Sequence, residues 1–103
     1  EQLKPALCSL GPVAPNPFAD QTRITFGLAD SPSPYQVQVH VYNLTGQRVR
    51  KLADAAYAPG SYALTWDGRD DAGRCLPPGL YVCRLAVHGP QGSQLMSEKI
   101  ILK

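Results

Sequence analysis

The sequence predicts an all-β domain whose strands form two antiparallel sheets packed face to face, and three observations carry that expectation. Apolar residues recur at every second position in several short runs, no stretch shows the 3.6-residue period of a helix, and the ten prolines and nine glycines lie mostly between the apolar runs. A chain of 103 residues has room for one core. A single domain over residues 6–103 is expected, with 1–5 as the end of a linker.

A weakly patterned first strand is expected around Ala6 to Leu10. From Thr22 to Leu28 the pattern sharpens, with Ile24, Phe26 and Leu28 on one face and Arg23, Thr25 and Gly27 on the other. Tyr35 to Leu44 repeats it, with Val37, Val39 and Val41 inward; at about 100° per residue a helix would scatter those valines around its axis. Asn43-Leu44-Thr45-Gly46 predicts a tight reversal in which Gly46 supplies a positive φ. Gln47 to Ala53 returns as the partner strand, and the three-residue step from Val49 to Leu52 predicts a bulge or an early end near Arg50-Lys51.

Pro59-Gly60 marks the next turn, after which Tyr62, Leu64 and Trp66 share a face. The run from Leu64 through Asp67-Gly68-Arg69-Asp70-Asp71-Ala72-Gly73 to Tyr81 predicts a hairpin-like unit, strand, turn and strand. Leu80 to Val87 puts Tyr81, Cys83, Leu85 and Val87 together, and Gly89-Pro90-Gln91-Gly92 makes the last turn. Ser93 to Lys103 closes the set, with Ile100 and Leu102 inward and Lys99 and Lys103 outside. One open sheet would leave the valine stripe in water, so about seven such strands predict an immunoglobulin-like antiparallel β-sandwich.

The same residues narrow the function classes. A net charge of +2 and a pI near 8.6 are too mild for a nucleic-acid face, and the small cluster Arg48, Arg50 and Lys51 reads as a solvated strand face ahead of a patch for an acidic partner. No apolar run approaches the roughly 20 residues that span a bilayer, so no membrane insertion is expected. Cys8, Cys75 and Cys83 fit neither a zinc spacing nor a CxxC motif. A Cys75–Cys83 bridge would close a short loop, whereas the apolar neighbours of Cys83 favour a buried free thiol.

His40 and His88 have no nucleophile or acid at a recognisable spacing and read as surface residues, so no enzyme and no cofactor are expected. Asp67, Asp70 and Asp71 invite a calcium site, but their spacing misses the D-x-[DN]-x-[DN]-G loop; the favoured role is capping main-chain donors in a turn. Trp66 with Tyr35, Tyr57 and Tyr62 could offer a platform for sugar rings, although the position of Trp66 beside Leu64 favours the core. Asn43-Leu44-Thr45 satisfies a glycosylation pattern and is better explained as the hairpin turn.

Several segments, taken in order, resemble a known family: Pro15-Asn16-Pro17-Phe18, Thr22 to Phe26, Val41 to Val49, Pro59-Gly60-Ser61-Tyr62, Trp66 to Asp70, Gly79-Leu80-Tyr81 and Lys99 to Lys103. The chain resembles the type A C-terminal sorting domain of type IX secretion cargo, and is also similar to the immunoglobulin-like domain of the flagellar hook-capping protein. The resemblance implies an address, read in the periplasm by the outer-membrane translocon with a shuttle protein and a sortase-like cysteine protease, whose cargo ends at the cell surface or outside the cell. Gly79 and Tyr81 match the family's Gly-x-Tyr motif; Lys99 and Lys103, with Ile100, Ile101 and Leu102 between them, match its terminal basic motif. Cys83 departs from the pattern, since the family more often has an aromatic or aliphatic residue there.

An address on a folded sandwich is expected to use a free strand edge, because an edge offers unpaired N–H and C=O groups, and the final strand is the expected candidate. A monomer is expected. The competing readings are a structural or adhesive module of a cell-surface or flagellar-hook-type assembly and a carbohydrate-binding accessory module.

Overall fold

In a computed structural model describing residues 7–90 and 92–103, the chain forms seven strands: β1 (Cys8–Ala14), β2 (Thr22–Leu28), β3 (Tyr35–Tyr42), β4 (Arg48–Tyr57), β5 (Gly60–Trp66), β6 (Gly79–Gly89) and β7 (Gly92–Leu102). They make a three-stranded sheet of order β1-β2-β5 and a four-stranded sheet of order β4-β3-β6-β7, with every pair antiparallel. This is the immunoglobulin-like sandwich that the sequence predicts. The expected linker, residues 1–5, lies outside the described residues.

The alternating strands fall where their period places them. β2 has the expected bounds and buries Thr22, Ile24, Phe26 and Leu28, while Val37, Val39 and Val41 of β3 are fully buried. β4 pairs with β3 across two register shifts, one leaving Leu52 and the other Val49 without an opposite residue, which is the bulging expected from their spacing. It also runs on to Tyr57 instead of stopping at Ala53. The residues Asp54-Ala55-Ala56 carry no alternation, and pairing with Gln36 to Gln38 of β3 extends the strand.

Two expectations are corrected. The first strand, expected from Ala6 to Leu10, runs Cys8–Ala14 among the described residues, Ala6 lying outside them, and continues past Leu10 because Gly11-Pro12 is carried inside the strand by a register shift between Leu10 and Val13. A Cβ at Gly11 would run into Thr25 Oγ1, so any other residue there must displace the Thr25 side chain. The run from Leu64 to Tyr81 is not a hairpin. β5 pairs with β2 and β6 with β3 and β7, so the segment crosses from one sheet to the other. The turn chemistry is spent inside the crossover, where Arg69 and Cys75 form an isolated bridge around Asp70 N–H to Arg74 O (2.9 Å) and Gly73 N–H to Asp70 O (3.0 Å).

Trp66 is 0% exposed and lies between Phe18 and Tyr81, each with its ring centroid 5.4 Å away. Its indole Nε1–H donates to Arg69 O at 3.0 Å, so the polar edge of the ring is satisfied by the start of the crossover. Tyr81 Oη donates to Pro77 O (2.6 Å) and Tyr35 Oη to Ala29 O (2.9 Å), two more aromatic rings whose hydroxyls tie a loop to the core. Gly89 clears the Tyr35 ring, where a Cβ would stand 2.6 Å from Cδ2.

Trp66→Ala should destabilise the domain by about 3–5 kcal/mol in chemical denaturation, since it opens a cavity and orphans the Arg69 carbonyl. Thr65→Ala, on the exposed face of the same strand, should stay within about 0.5 kcal/mol of the parent.

Candidate functional site at the C-terminal strand

The β6–β7 register brings the sequence-derived site residues to one end of the four-stranded sheet: Gly79 pairs with Leu102, Leu80 with Ile101, Tyr81 with Ile100, and Val82 with Lys99. The seven do not all face outward. Tyr81 (4% exposed), Ile100 (0%) and Leu102 (6%) belong to the core, whereas Gly79, Lys99, Ile101 and Lys103 are exposed. The Gly-x-Tyr pair thus has a packing role: Gly79 takes a φ of 154°, and the Tyr81 ring closes on Trp66 while its hydroxyl holds the Pro77 carbonyl.

The C-terminal end of β7 is not the free edge expected of an address. Asn16 clamps it with its side-chain amide, Nδ2–H donating to Lys99 O (3.0 Å) and Oδ1 accepting from Ile101 N–H (2.9 Å). Phe18 continues the seam in parallel, its N–H donating to Ile101 O (2.9 Å) and its carbonyl accepting from Lys103 N–H (2.8 Å). The segment Asn16-Pro17-Phe18 therefore acts as a short extra strand, fixed by the Phe18 ring against Trp66. Sequence reasoning missed this role; the signal was an Asn flanked by prolines, which themselves have no N–H to give a neighbouring strand.

What the site still offers is side chains. Lys99 shares a cross-strand row with Val82, Tyr42 and Arg48 on the outer face of the sheet, and the next row holds Ser97, Arg84, His40 and Lys51. Arg84 lies 4.8 Å over the Tyr42 ring. The ion pairs among the described residues are Arg50–Asp67, Arg69–Asp67 and Arg74–Asp70, so the cations of these two rows have no carboxylate within salt-bridge distance. Arg50, read from the sequence with Arg48 and Lys51, leaves that cluster for Asp67 at 3.2 Å.

His40 is half-buried rather than a surface residue, with Nδ1 3.4 Å from Tyr42 Oη and Nε2 buried without a partner. Burial first, and then the Arg48 charge, hold it below the ordinary imidazole value of 6.5; Lys51 acts in the same direction, Asp54 and Asp71 against it.

The acidic loop is occupied by its own turns. Asp70 Oδ1 accepts from Ala72 N–H (3.0 Å) and Arg74 N–H (2.9 Å), and these donors with the Arg74 guanidinium hold its carboxyl below the usual range. Asp67 Oδ1 accepts from Arg69 N–H at 3.1 Å, and Asp71 Oδ1 from Lys51 N–H at 2.9 Å. The capping role read from the sequence is the observed one. Asn43 behaves alike, its Oδ1 accepting from Thr45 N–H, Gln47 N–H and Thr45 Oγ1 in the β3–β4 turn.

All three cysteines are free thiols, Cys75 exposed and Cys8 and Cys83 buried. Burial, with the Glu98 charge second, pushes Cys83 up to about 12, so it is a neutral packing group at ordinary pH. Trp66 and Tyr35 are both fully buried, which removes them from any sugar-binding platform.

The fold defines an immunoglobulin-like domain, and a model of the FlgD Ig-like domain family matches residues 14–89. The chain belongs to that family. No curated protein matches it. Among solved structures it is similar to dimeric latent PorU from Porphyromonas gingivalis, with TM-score 0.77 and 24% identity over 97% of this chain and 10% of that one. It is similar to FlgD from P. aeruginosa, with TM-score 0.62 and 27% identity over 80% of this chain and 61% of that one. PorZ of P. gingivalis, described as an essential bacterial surface component of the type-IX secretion system, gives TM-score 0.58 and 18% identity over 89% of this chain and 11% of that one. PorU and PorZ share the fold at these identities, and the chain spans only part of the length of each protein it matches.

Asn16→Ala should cost about 1–2 kcal/mol, two hydrogen bonds at about 1 kcal/mol each, and speed hydrogen exchange at the Ile101 amide. Asn16→Asp keeps the acceptor for Ile101 N–H and should fall between the two.

The lowered His40 value has a sign that can be measured. The unfolded chain takes up the proton first on acidification, so the contribution of His40 to stability is present above pH 6.5 and is lost as pH falls through the folded value. The slope of Tm against pH between about 7 and 5 should be shallower in His40→Gln.

Proposed function

We propose that this domain is a non-enzymatic sorting domain of the type IX secretion kind. Its partners are the outer-membrane translocon, a shuttle protein and a sortase-like cysteine protease, and its route runs from the periplasm to the cell surface or beyond. The observation that carries the reading is the display of Lys99, Ile101 and Lys103 on a strand whose main chain is closed by Asn16 and Phe18. Such a strand is read through its side chains, and two exposed cations flanking an apolar residue that is 44% exposed suit a partner with an acidic surface around an apolar seat. The likeness to PorZ supports a type IX setting.

A second reading, a structural module of a flagellar-hook-type assembly, is favoured by the family match and by the 27% identity to FlgD from P. aeruginosa.

Deleting residues 99–103 is a poor test, because it removes the buried Ile100 and Leu102 along with the exposed residues. A reporter fused ahead of the chain in a host with a type IX system should reach the surface or the medium. The triple substitution Lys99→Glu, Ile101→Ser and Lys103→Glu, confined to exposed positions, should keep the fold by circular dichroism and trap the reporter in the periplasm. If the intact, folded fusion stays periplasmic, the sorting reading fails and the structural-module reading replaces it.

A further inference from the structure

The two sheets have four edges, and they are protected unequally. β7 is held by Asn16 and Phe18 at its C-terminal end and flanked by β1, and Gln94 Oε1 accepts from both Leu7 N–H (2.8 Å) and Cys8 N–H (3.2 Å). β1 itself is interrupted by Gly11-Pro12. β4 is closed by Asp71, whose N–H donates to Val49 O while its carboxylate accepts from Lys51 N–H, and it carries Arg48, Arg50, Lys51 and Asp54. A natural sheet blunts its edges with such charges, prolines, bulges and covering segments.

β5 has none of these. Gly60–Trp66 contains no charge and no proline, and among the described residues no group outside β2 bonds to its main chain. The register identifies the groups left over. Ala29 N–H donates to Leu7 O, which makes that pair hydrogen-bonded, and alternation then turns Gly27 and Thr25 toward β1 and Phe26 and Ile24 toward β5. Tyr62 and Leu64, opposite Phe26 and Ile24, spend their main-chain groups on β2. Ser61, Ala63 and Thr65 therefore aim their N–H and C=O groups away from the sheet.

We propose that the β5 edge is a strand-addition site that takes an extended segment of a partner polypeptide as the fourth strand of the β1-β2-β5 sheet. The main chain dictates the class of ligand, since donors and acceptors at every second residue are matched only by another extended backbone. The side chains dictate its pattern. On the core side of the edge, Tyr62 packs on Tyr57 of β4 with centroids 4.8 Å apart, and Leu52 and Leu64 are half-buried against the core. Alternate residues of the incoming strand cover that seam and are apolar; the others stand beside the exposed Ser61, Ala63 and Thr65 and are small or polar. The proposal is independent of the sorting reading, because it uses neither Lys99 nor Lys103.

The test is an NMR titration of the chain with a synthetic heptapeptide of the β2 sequence Thr22–Leu28, the strand that β5 already pairs on its other side. Amide exchange should slow at Ser61, Ala63 and Thr65 and stay unchanged at Tyr62 and Leu64. Ala63→Pro, which removes only an outward N–H, should weaken binding by about tenfold with Tm preserved. The same peptide N-methylated on the amides that face β5 should lose a similar factor with no change to the protein. Protection that is absent, that maps to β4 or β7, or that arises from self-association without peptide would overturn the proposal.

Discussion

The contact on which the remainder of the structure depends is the seat of Trp66. Three segments distant in sequence meet there: Phe18 from the Asn16–Phe18 strap, Tyr81 from β6, and the crossover whose Arg69 carbonyl takes the indole proton. Two of them are committed further by bonds of their own, Phe18 to the main chain of Ile101 and Lys103, and Tyr81 to Pro77. The ring is thus both core filler and the point that fixes how the two sheets and the C-terminal strand stand together. Gly68 sits against the same cluster, its φ of 75° favours glycine, and a Cβ there would stand 3.3 Å from Leu102 Cδ1, so a side chain in the turn after Trp66 would be strained and would press on the core.

The edges of the four-stranded sheet are closed by one device used twice. Asn16 on β7 and Asp71 on β4 each bond to a carbonyl and an amide two residues apart, 99 and 101 in one case and 49 and 51 in the other. That spacing is the one a neighbouring strand would satisfy. A single short polar residue thereby ends a sheet that would otherwise accept another chain.

The strands were legible in the sequence wherever one face is buried and the other wet. β2, β3 and the inner faces of β6 and β7 carry a period of two because Ile24, Val39, Cys83 and Ile100 enter one core. What escaped the sequence depends on which strand lies beside which. Leu64 to Tyr81 has the local grammar of a hairpin, and only the competition of β2 and β3 for its two strands makes it a crossover. The residues of the candidate site come together in the structure, since Gly79 to Val82 pair with Leu102 to Lys99. Their division into buried and exposed members was legible, because the period of two sets Tyr81 with Cys83 and Leu85 and turns Ile100 and Leu102 inward; the clamp by Asn16 was not, because a contact between residues 85 positions apart leaves no local trace.

Gln94 receives Leu7 and Cys8 near the start of β7, and Phe18 receives Lys103 just beyond its end. The nine residue steps from Gln94 to Lys103 span about 30 Å in extended form, against a 44 Å long axis. A polypeptide joined ahead of residue 7 therefore leaves from one pole of the domain and Lys103 projects from the other. Tension between those poles would load β1 and β7 lengthwise, in shear, so that many ladder bonds resist together.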